Sequence, residues 1–383
     1  MRILITMHNW LDRNAGTAAA NLELARAYRA RGHITQLLSW DDMPVSFTKR
    51  TRQFAWYLWI AGRLARHASA QRIDVLDCSI ADAVAWGAIR SWRAPGTLLV
   101  TRSHGLEHVS HEAKAHERAV GNDTTTRLKL CHEAIDRAVV CRSLRYADLA
   151  LFLNPVDRDY AVERLGIAET HARVVPNGIS DYFLGRPAPG SRAGKPARIA
   201  FIGGYEVPKG VAYAAAALAG LLRDHPDVKV TFLGTDVPVE RIRSDYPPDV
   251  APQLEAVRGF ERPQLPGLLS EGDILLFPSL AEGSSLALIE GMACGLVPVA
   301  TAVGAAPEVV RDGRDGFVVP PRDVEGLRRA LDRLVTDRDT LDLMRKNAHT
   351  RAQHYSWQRA AAANLRAYEE AMDRRGLQAG DGS

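Results

Sequence analysis

The chain runs twice through the same order of elements: a short apolar run, a polar loop bearing glycine, then a helix of small apolar residues. In the first round, Arg2–Thr6 is the apolar run and His8–Thr17 is polar, with Asn14 and Gly16. Leu22, Leu24, Ala25, Ala27 and Tyr28 then fall at helical spacing up to Gly32. The second round begins at Arg198–Ile202, passes through Gly203 and Gly204, and enters an alanine-rich helix at Val211–Leu222. Further strands are expected at 34–38, 75–78, 97–101, 149–153, 173–175, 229–233, 274–277 and 297–300, and a helix near 285–292. Strands alternating with helices in this way predict an α/β chain with doubly wound parallel sheets.

The rounds are separated by Leu184–Ala197, a stretch rich in Gly, Pro, Ser and Arg that reads as a linker. The 383 residues also exceed the ~250–300 that one core can hold. The expected organisation is a Rossmann-like domain over 1–184, a linker at 185–197, and a second Rossmann-like domain over 198–356. A last helix, 357–375, lies beyond the second sheet's own elements. Ligands of open α/β sheets sit beyond the carboxyl ends of the strands, so two such halves predict a cleft between them.

Hydrophobic content of 46% and charged content of 25% exclude a disordered or fibrous chain. The apolar stretches near 54–62 and 212–222 fall far short of the ~18–20 residues of a membrane span. Met1-Arg2 runs straight into Ile3–Thr6 without an apolar leader, which predicts a cytoplasmic location. The net charge of +4 allows attraction to phosphate or to the inner face of a membrane and does not call for nucleic acid. The mixed basic and aromatic stretch Lys49–Arg72 reads either as an interfacial helix or as a core-facing one. Cys78, Cys131, Cys141 and Cys294 fit no zinc or Cys-x-x-Cys spacing.

The weightiest segment is Phe277–Gly295. Between Gly283 and Pro307 the only charged residue is Glu290, and a lone carboxylate there needs a partner: a ligand hydroxyl, a backbone amide or an arginine. Glu282 and Glu290 stand eight residues apart, about 12 Å if both are on one helix at ~1.5 Å per residue. That exceeds the roughly 5–9.5 Å of paired glycosidase carboxylates, so the two suit the ends of one long ligand. Ser284, Ser285 and Leu286 fall at the expected helix start, where free N–H groups favour phosphate. Hydroxyl binder, phosphate binder, hydroxyl binder is the order a nucleotide-diphosphate-sugar requires.

A second loop, Gly203-Gly204-Tyr205-Glu206-Val207-Pro208-Lys209-Gly210, lets a phosphate approach the backbone, with Lys209 to neutralise it. Lysine is scarce, seven against 42 arginines, which makes Lys209 conspicuous. The order Lys-Gly without a following Ser/Thr is not a P-loop, and residues 14–17 lack the dinucleotide fingerprint. His104 follows a strand, where a single histidine is more often structural than catalytic. The pairs Asp157/Asp159 and Asp337/Asp339 read as solvated positions at helix starts or turns, not as metal ligands.

Together these residues resemble the family-4 retaining glycosyltransferases of GT-B fold, over nearly the whole chain and most strongly from Arg198 to Leu334. The E-x7-E motif is matched by Glu282 and Glu290 within a longer P-S-x-x-E-G…E-x-M-A-x-G-x-P-V pattern from Pro278 to Val299. The resemblance implies two Rossmann-like domains facing across a cleft and a UDP- or GDP-sugar donor, with no cofactor and no metal. It further implies that Glu282 binds the donor sugar, that Glu290 binds the ribose and that the backbone amides of Ser285 and Leu286 hold phosphate. Lys209 would balance the diphosphate charge, the strand end at Phe260 would lie against the base, Gly16 would give the diphosphate backbone access, and His104 would sit by the donor sugar near the acceptor. Two positions depart from the family pattern: Gly204 stands where an arginine is usual, and Ser284-Ser285 stands where Phe-Gly is usual. The acceptor and the oligomeric state have no signature. A sugar-nucleotide epimerase or phosphorylase of the same fold, and a catalytically silent nucleotide-sugar-binding protein, are the rival readings.

Overall fold

The computed structural model describes residues 1–12, 14, 16–44, 49–70, 72–88, 90, 95–123 and 127–377. Ala15 of the first glycine loop and the side chains of residues 49–54 in the basic-aromatic stretch lie outside the described residues. The chain divides into two compact units. One holds residues 1–108, 126–178 and 357–383; the other holds 109–125 and 179–356.

The first unit carries strands β1 (Arg2–Thr6), β2 (Ile34–Leu38), β3 (Val75–Ser79), β4 (Leu98–Arg102), β5 (Leu149–Phe152) and β6 (Ala172–Val174). Its longer helices are α1 (Gly16–Ala30), α2 (Lys49–Ala70), α4 (Arg127–Tyr146) and α5 (Pro155–Leu165). Helix α3 (Glu107–Ala119) starts in this unit and continues into the other. All the pairings are parallel, in the order β2-β1-β3-β4-β5-β6. Strands β3, β4 and β5 are buried along their whole length; β5 reads as a continuous apolar run, while β3 and β4 carry Asp77 and Arg102, which pair with each other inside the core. Trp56, Ile60 and Leu64 of α2 enter the core against Leu4, Leu76 and Leu99, so the described part of this helix faces inward. Leu58, on its other side, is 78% exposed.

The second unit carries β7 (Arg198–Ile202), β8 (Lys229–Leu233), β9 (Leu254–Val257), β10 (Ile274–Phe277), β11 (Val297–Thr301) and β12 (Phe317–Val319). Its longer helices are α6 (Val211–Asp224), α7 (Leu286–Ala293), α8 (Val324–Thr336) and α9 (Arg338–Ala352). The order is β12-β11-β10-β7-β8-β9, again all parallel. Chain direction across this sheet reverses between β7 and β10, and a crevice opens beyond the strand ends at such a switch point. Ala214, Ala217, Leu218, Leu221 and Leu222 of α6 pack with Phe201 and Phe232 on one face, while Ile289 and Met292 of α7 pack with Leu275 and Phe277 on the other.

Leu184–Ala197, with its linker composition, is fastened to the second unit. Arg192 is buried and ion-paired to Asp273 at 3.1 Å and to Glu271 at 2.8 Å, and Arg345 donates to the Gly190 carbonyl at 2.9 Å. Proline and glycine remove regular structure here without removing packing.

The last helix, α10 (Trp357–Arg374), belongs to the first unit. The Tyr368 hydroxyl donates to Asp77 on β3 at 2.6 Å and lies 2.9 Å from the Tyr28 hydroxyl on α1. Asp77 also receives Arg102 at 2.6 Å, with both side chains almost wholly buried. Removing one member of such a pair leaves a buried charge, at a cost of roughly 3–5 kcal/mol.

Candidate functional site

In the second unit, the loops that leave β7 and β10 lie on either side of the switch point, and close backbone contact locks them together. Leu280 donates its N–H to the Pro208 carbonyl at 2.8 Å. Gly210 sits at φ +68°, and a Cβ there would fall 1.9 Å from the Pro278 carbonyl oxygen, so only glycine fits. This brings Lys209 to Glu282: Nζ lies 2.6 Å from Oε1, and the Ser279 hydroxyl donates to the same oxygen at 2.8 Å. Gly304, at φ +52°, has the Glu282 carbonyl oxygen 2.3 Å from its Cβ position and thereby seats the Glu282-Gly283 turn.

Helix α7 begins at Leu286, so Glu282 stands in the preceding loop and only Glu290 is helical. The one-helix spacing of about 12 Å, at ~1.5 Å per residue, therefore does not apply to this pair. Glu290 is 3% exposed and forms an ion pair with Arg262, which follows β9. Of the partners that a lone buried carboxylate could take, the fold supplies an arginine.

Ser285 caps α7 at φ +54°, a left-handed backbone that a side chain rarely adopts, and its hydroxyl makes no capping bond. The hydroxyls of Ser284 and Ser285 are buried without hydrogen-bond partners among the described residues. Two such groups at the start of a helix, whose first N–H groups cannot bond within it, leave several donors unmatched in one place.

Gly203 takes φ +133°, and the Lys209 stem passes 3.5 Å from its Cβ position; Gly204 has only the Glu206 side chain near it. Phe260 lies across Gly234, with a ring atom 3.1 Å from that residue's Cβ position. The strand ends of the second sheet thus carry Gly203, Gly204, Lys209, Phe260, Glu282, Ser284, Ser285, Leu286 and Glu290 in one unit.

Gly16 and His104 belong to the first unit. Gly16 opens α1 and has open space around its Cβ position. His104 is partly buried, and its Nε2 has no hydrogen-bond partner among the described residues. Burial, then the nearby charges of Arg102 and His8, push its pKa down to about 3, which keeps the ring neutral.

The first aspartate pair departs from expectation. Asp157 is buried rather than solvated, because it accepts the Leu106 N–H at 3.0 Å and Asn154 Nδ2 at 3.1 Å, anchoring the loop after His104. Burial raises its pKa to about 6, against the lowering pull of those hydrogen bonds. Asp337 caps α9. Among the described residues no group of three or more His, Cys, Asp or Glu side chains is arranged to hold a metal.

Arg262, Ser279 and Gly304 escaped sequence reading, as did His8, Asp82 and Glu107 of the first unit. Arg262 reaches Glu290 across 28 residues of chain, and no local pattern marks it. The isolation of Glu290 in its apolar segment was the available signal that such a partner was needed.

Two family profiles match the chain: Glycosyltransferase Family 4 over residues 15–181 and Glycosyl transferases group 1 over residues 196–337. A D-inositol 3-phosphate glycosyltransferase of Saccharomonospora viridis is 30% identical over 308 residues, 76% of this chain and 68% of that protein. An MMP alpha-(1->4)-mannosyltransferase of Mycolicibacterium hassiacum is 34% identical over 214 residues, 54% of this chain and 50% of that protein. The chain spans about half the length of several of the curated relatives it matches. Among solved structures, sucrose-phosphate synthase from Thermosynechococcus elongatus superposes with a TM-score of 0.79 at 17% identity, covering 98% of this chain and 100% of that one. Anabaena HepE in complex with UDP and glucose gives a TM-score of 0.68 at 17% identity, covering 96% of this chain and 99% of that one. The two parallel sheets and these superpositions define a GT-B fold. The chain belongs to the family-4 glycosyltransferases, with a second half of the glycosyl transferases group 1 type.

Proposed function

We propose that this chain is a retaining, metal-independent glycosyltransferase that moves a sugar from a UDP- or GDP-sugar to an acceptor hydroxyl. The observation that carries the proposal is the Lys209–Glu282 pair, held by two interlocked loops at the switch point of the second sheet, beside the start of α7. The relatives named as glycosyltransferases and the HepE complex with UDP and glucose support a donor of this class.

In this reading the unmatched donors at Ser284, Ser285 and the first turn of α7 hold the diphosphate, and Glu282 takes hydroxyls of the donor sugar. Glu290, fixed by Arg262, takes the ribose, and the surface around Phe260 takes the base. The bond from the anomeric carbon to the phosphate oxygen breaks with its electron pair on the phosphate, where Lys209 offsets the growing charge. The acceptor oxygen bonds the same face of the carbon and gives its proton to the departing phosphate, so no protein nucleophile is required. The roles that the resemblance gives to Gly16 and His104, in the first unit, are part of the same proposal.

The test pairs a thermal-shift screen of UDP, GDP and their sugars with transfer assays in EDTA. One nucleotide series should raise the melting temperature, and Lys209→Ala should lower turnover by roughly 10²–10³, the effect of one lost oxyanion-stabilising group. Wild-type turnover in Lys209→Ala removes that residue from the chemistry. Nucleotide binding without turnover of any donor turns the reading to a silent binding protein. Peripheral contact with the inner face of a membrane belongs to the same proposal, and co-sedimentation with anionic vesicles checks it.

A further inference from the structure

The sheet of the first unit has its own switch point, between β1 and β3. His8 follows β1 and Asp82 follows β3, and Nδ1 of His8 lies 2.8 Å from Oδ1 of Asp82. Asp82 is fully buried. Trp56 Nε1 donates to the same oxygen at 2.8 Å, and the Thr6 hydroxyl donates to the other at 2.8 Å. An indole N–H can only donate, so Oδ1 acts as an acceptor and the proton between His8 and Asp82 sits on Nδ1. The imidazole is 32% exposed, and its Nε2 has no partner among the described residues.

The surroundings of this nitrogen are acidic. Asp82, Glu107 of α3 and Asp136 of α4 all act on the charge of His8, and Tyr57 of α2 feels the same three carboxyls. His104 feels His8 and Arg102, but Arg102 is closed into its pair with Asp77. Oε2 of Glu107 is buried with no hydrogen-bond partner among the described residues. Burial opposes charge on His8, yet Asp82, Glu107 and Asp136 together offset this and its pKa lies above the ordinary value; burial pushes that of Glu107 up to about 7.

A hydroxyl both donates and accepts, so it bonds Nε2 in either protonation state of the ring. A phosphate or carboxylate would be brought against the carboxyl groups of Asp82 and Asp136 instead. We propose that His8, held by Asp82 at the switch point of the first sheet, is a subsite for a neutral polyol, with Glu107 taking a neighbouring hydroxyl. The inference deepens the proposed transfer reaction and rests on it only for calling that polyol the acceptor.

Nitrogen NMR of the histidine-labelled full chain reads the His8 ring directly while myo-inositol, methyl α-glucoside or inositol 3-phosphate is added. The two neutral polyols should shift the Nε2 signal saturably, and the phosphate should bind roughly tenfold or more weakly. His8→Gln should lose about tenfold or more in polyol affinity, as when one hydrogen bond at a charged group is lost. An unmoved His8 signal with every neutral polyol overturns the proposal, as does tighter binding of the phosphate; both readings come from the wild-type chain. Calorimetry with UDP and GDP runs alongside. Absence of nucleotide binding sinks the transfer reading, while a His8-centred polyol shift in that same sample still upholds the subsite.

Discussion

Replacing Gly210 with alanine isolates the contact on which the geometry of the second unit's strand ends depends. The residue holds φ +68°, which costs an L side chain roughly 1–2 kcal/mol. The added methyl would also lie 1.9 Å from the Pro278 carbonyl oxygen, where contacts under 3.0 Å do not occur. One of the two loops must therefore retreat by about an ångström, and forced backbone shifts of this kind cost roughly 1–3 kcal/mol. The sum is about 2–5 kcal/mol, or roughly 4–20 °C in the melting temperature of a unit of this size. Gly204 provides the control, because its Cβ position meets nothing nearer than the Glu206 side chain at 3.7 Å. Differential scanning calorimetry of the full chain should show Gly210→Ala melting well below wild type and Gly204→Ala close to it. Because the retreat also separates Lys209 from Glu282, nucleotide affinity should fall in Gly210→Ala. A Gly210→Ala chain that melts with wild type and binds nucleotide normally refutes the claim that this contact sets the site.

Ser285→Gly should stabilise the chain by about 0.5–1 kcal/mol, the relief of left-handed strain at φ +54° less the entropy that glycine adds to the unfolded chain. Chemical denaturation reads the gain, and a simultaneous loss of nucleotide affinity by calorimetry would tie the unmatched Ser285 hydroxyl to phosphate. Glu107 gives a pH signature. Burial raises its pKa from the ordinary 4.5 to about 7, so the folded chain holds a proton there that the unfolded chain has released. Its contribution is present below pH 4.5 and is lost as pH rises toward and through 7. Denaturation midpoints of Glu107→Gln should therefore overtake those of wild type as pH climbs across that range; parallel pH profiles for the two chains contradict a raised pKa.

Among the described residues ten of the twelve strands were legible in the sequence, for one physical reason, whereas β9 and β12 were not marked. Strands buried on both faces are written as short apolar runs, and glycine marks the turns that leave them. Strands β7, β8 and β10 fall on the residues that their apolar runs mark, and α7 begins within one residue of its expected start. The compound pattern from Pro278 to Val299 likewise carried the family. What sequence spacing could not supply was the partner of each polar group. Glu290 needed one, but that it is Arg262 depends on how the loop after β9 returns over α7. Asp157 looked solvated because its own neighbours are charged, and it is buried because Leu106 comes to it from another strand end.

The segment 185–197 shows the same limit from the other side. Its composition says only that it forms neither helix nor strand, and whether it swings or packs was decided by Arg192 finding Asp273 and Glu271. His8 and Asp82 stand 74 residues apart and share no motif. They meet because β1 and β3 are neighbours in the first sheet, with β2 displaced to its edge. Periodicity along a chain records which faces are buried and where the backbone turns. Pairing between distant side chains is set by strand order, which local sequence does not encode.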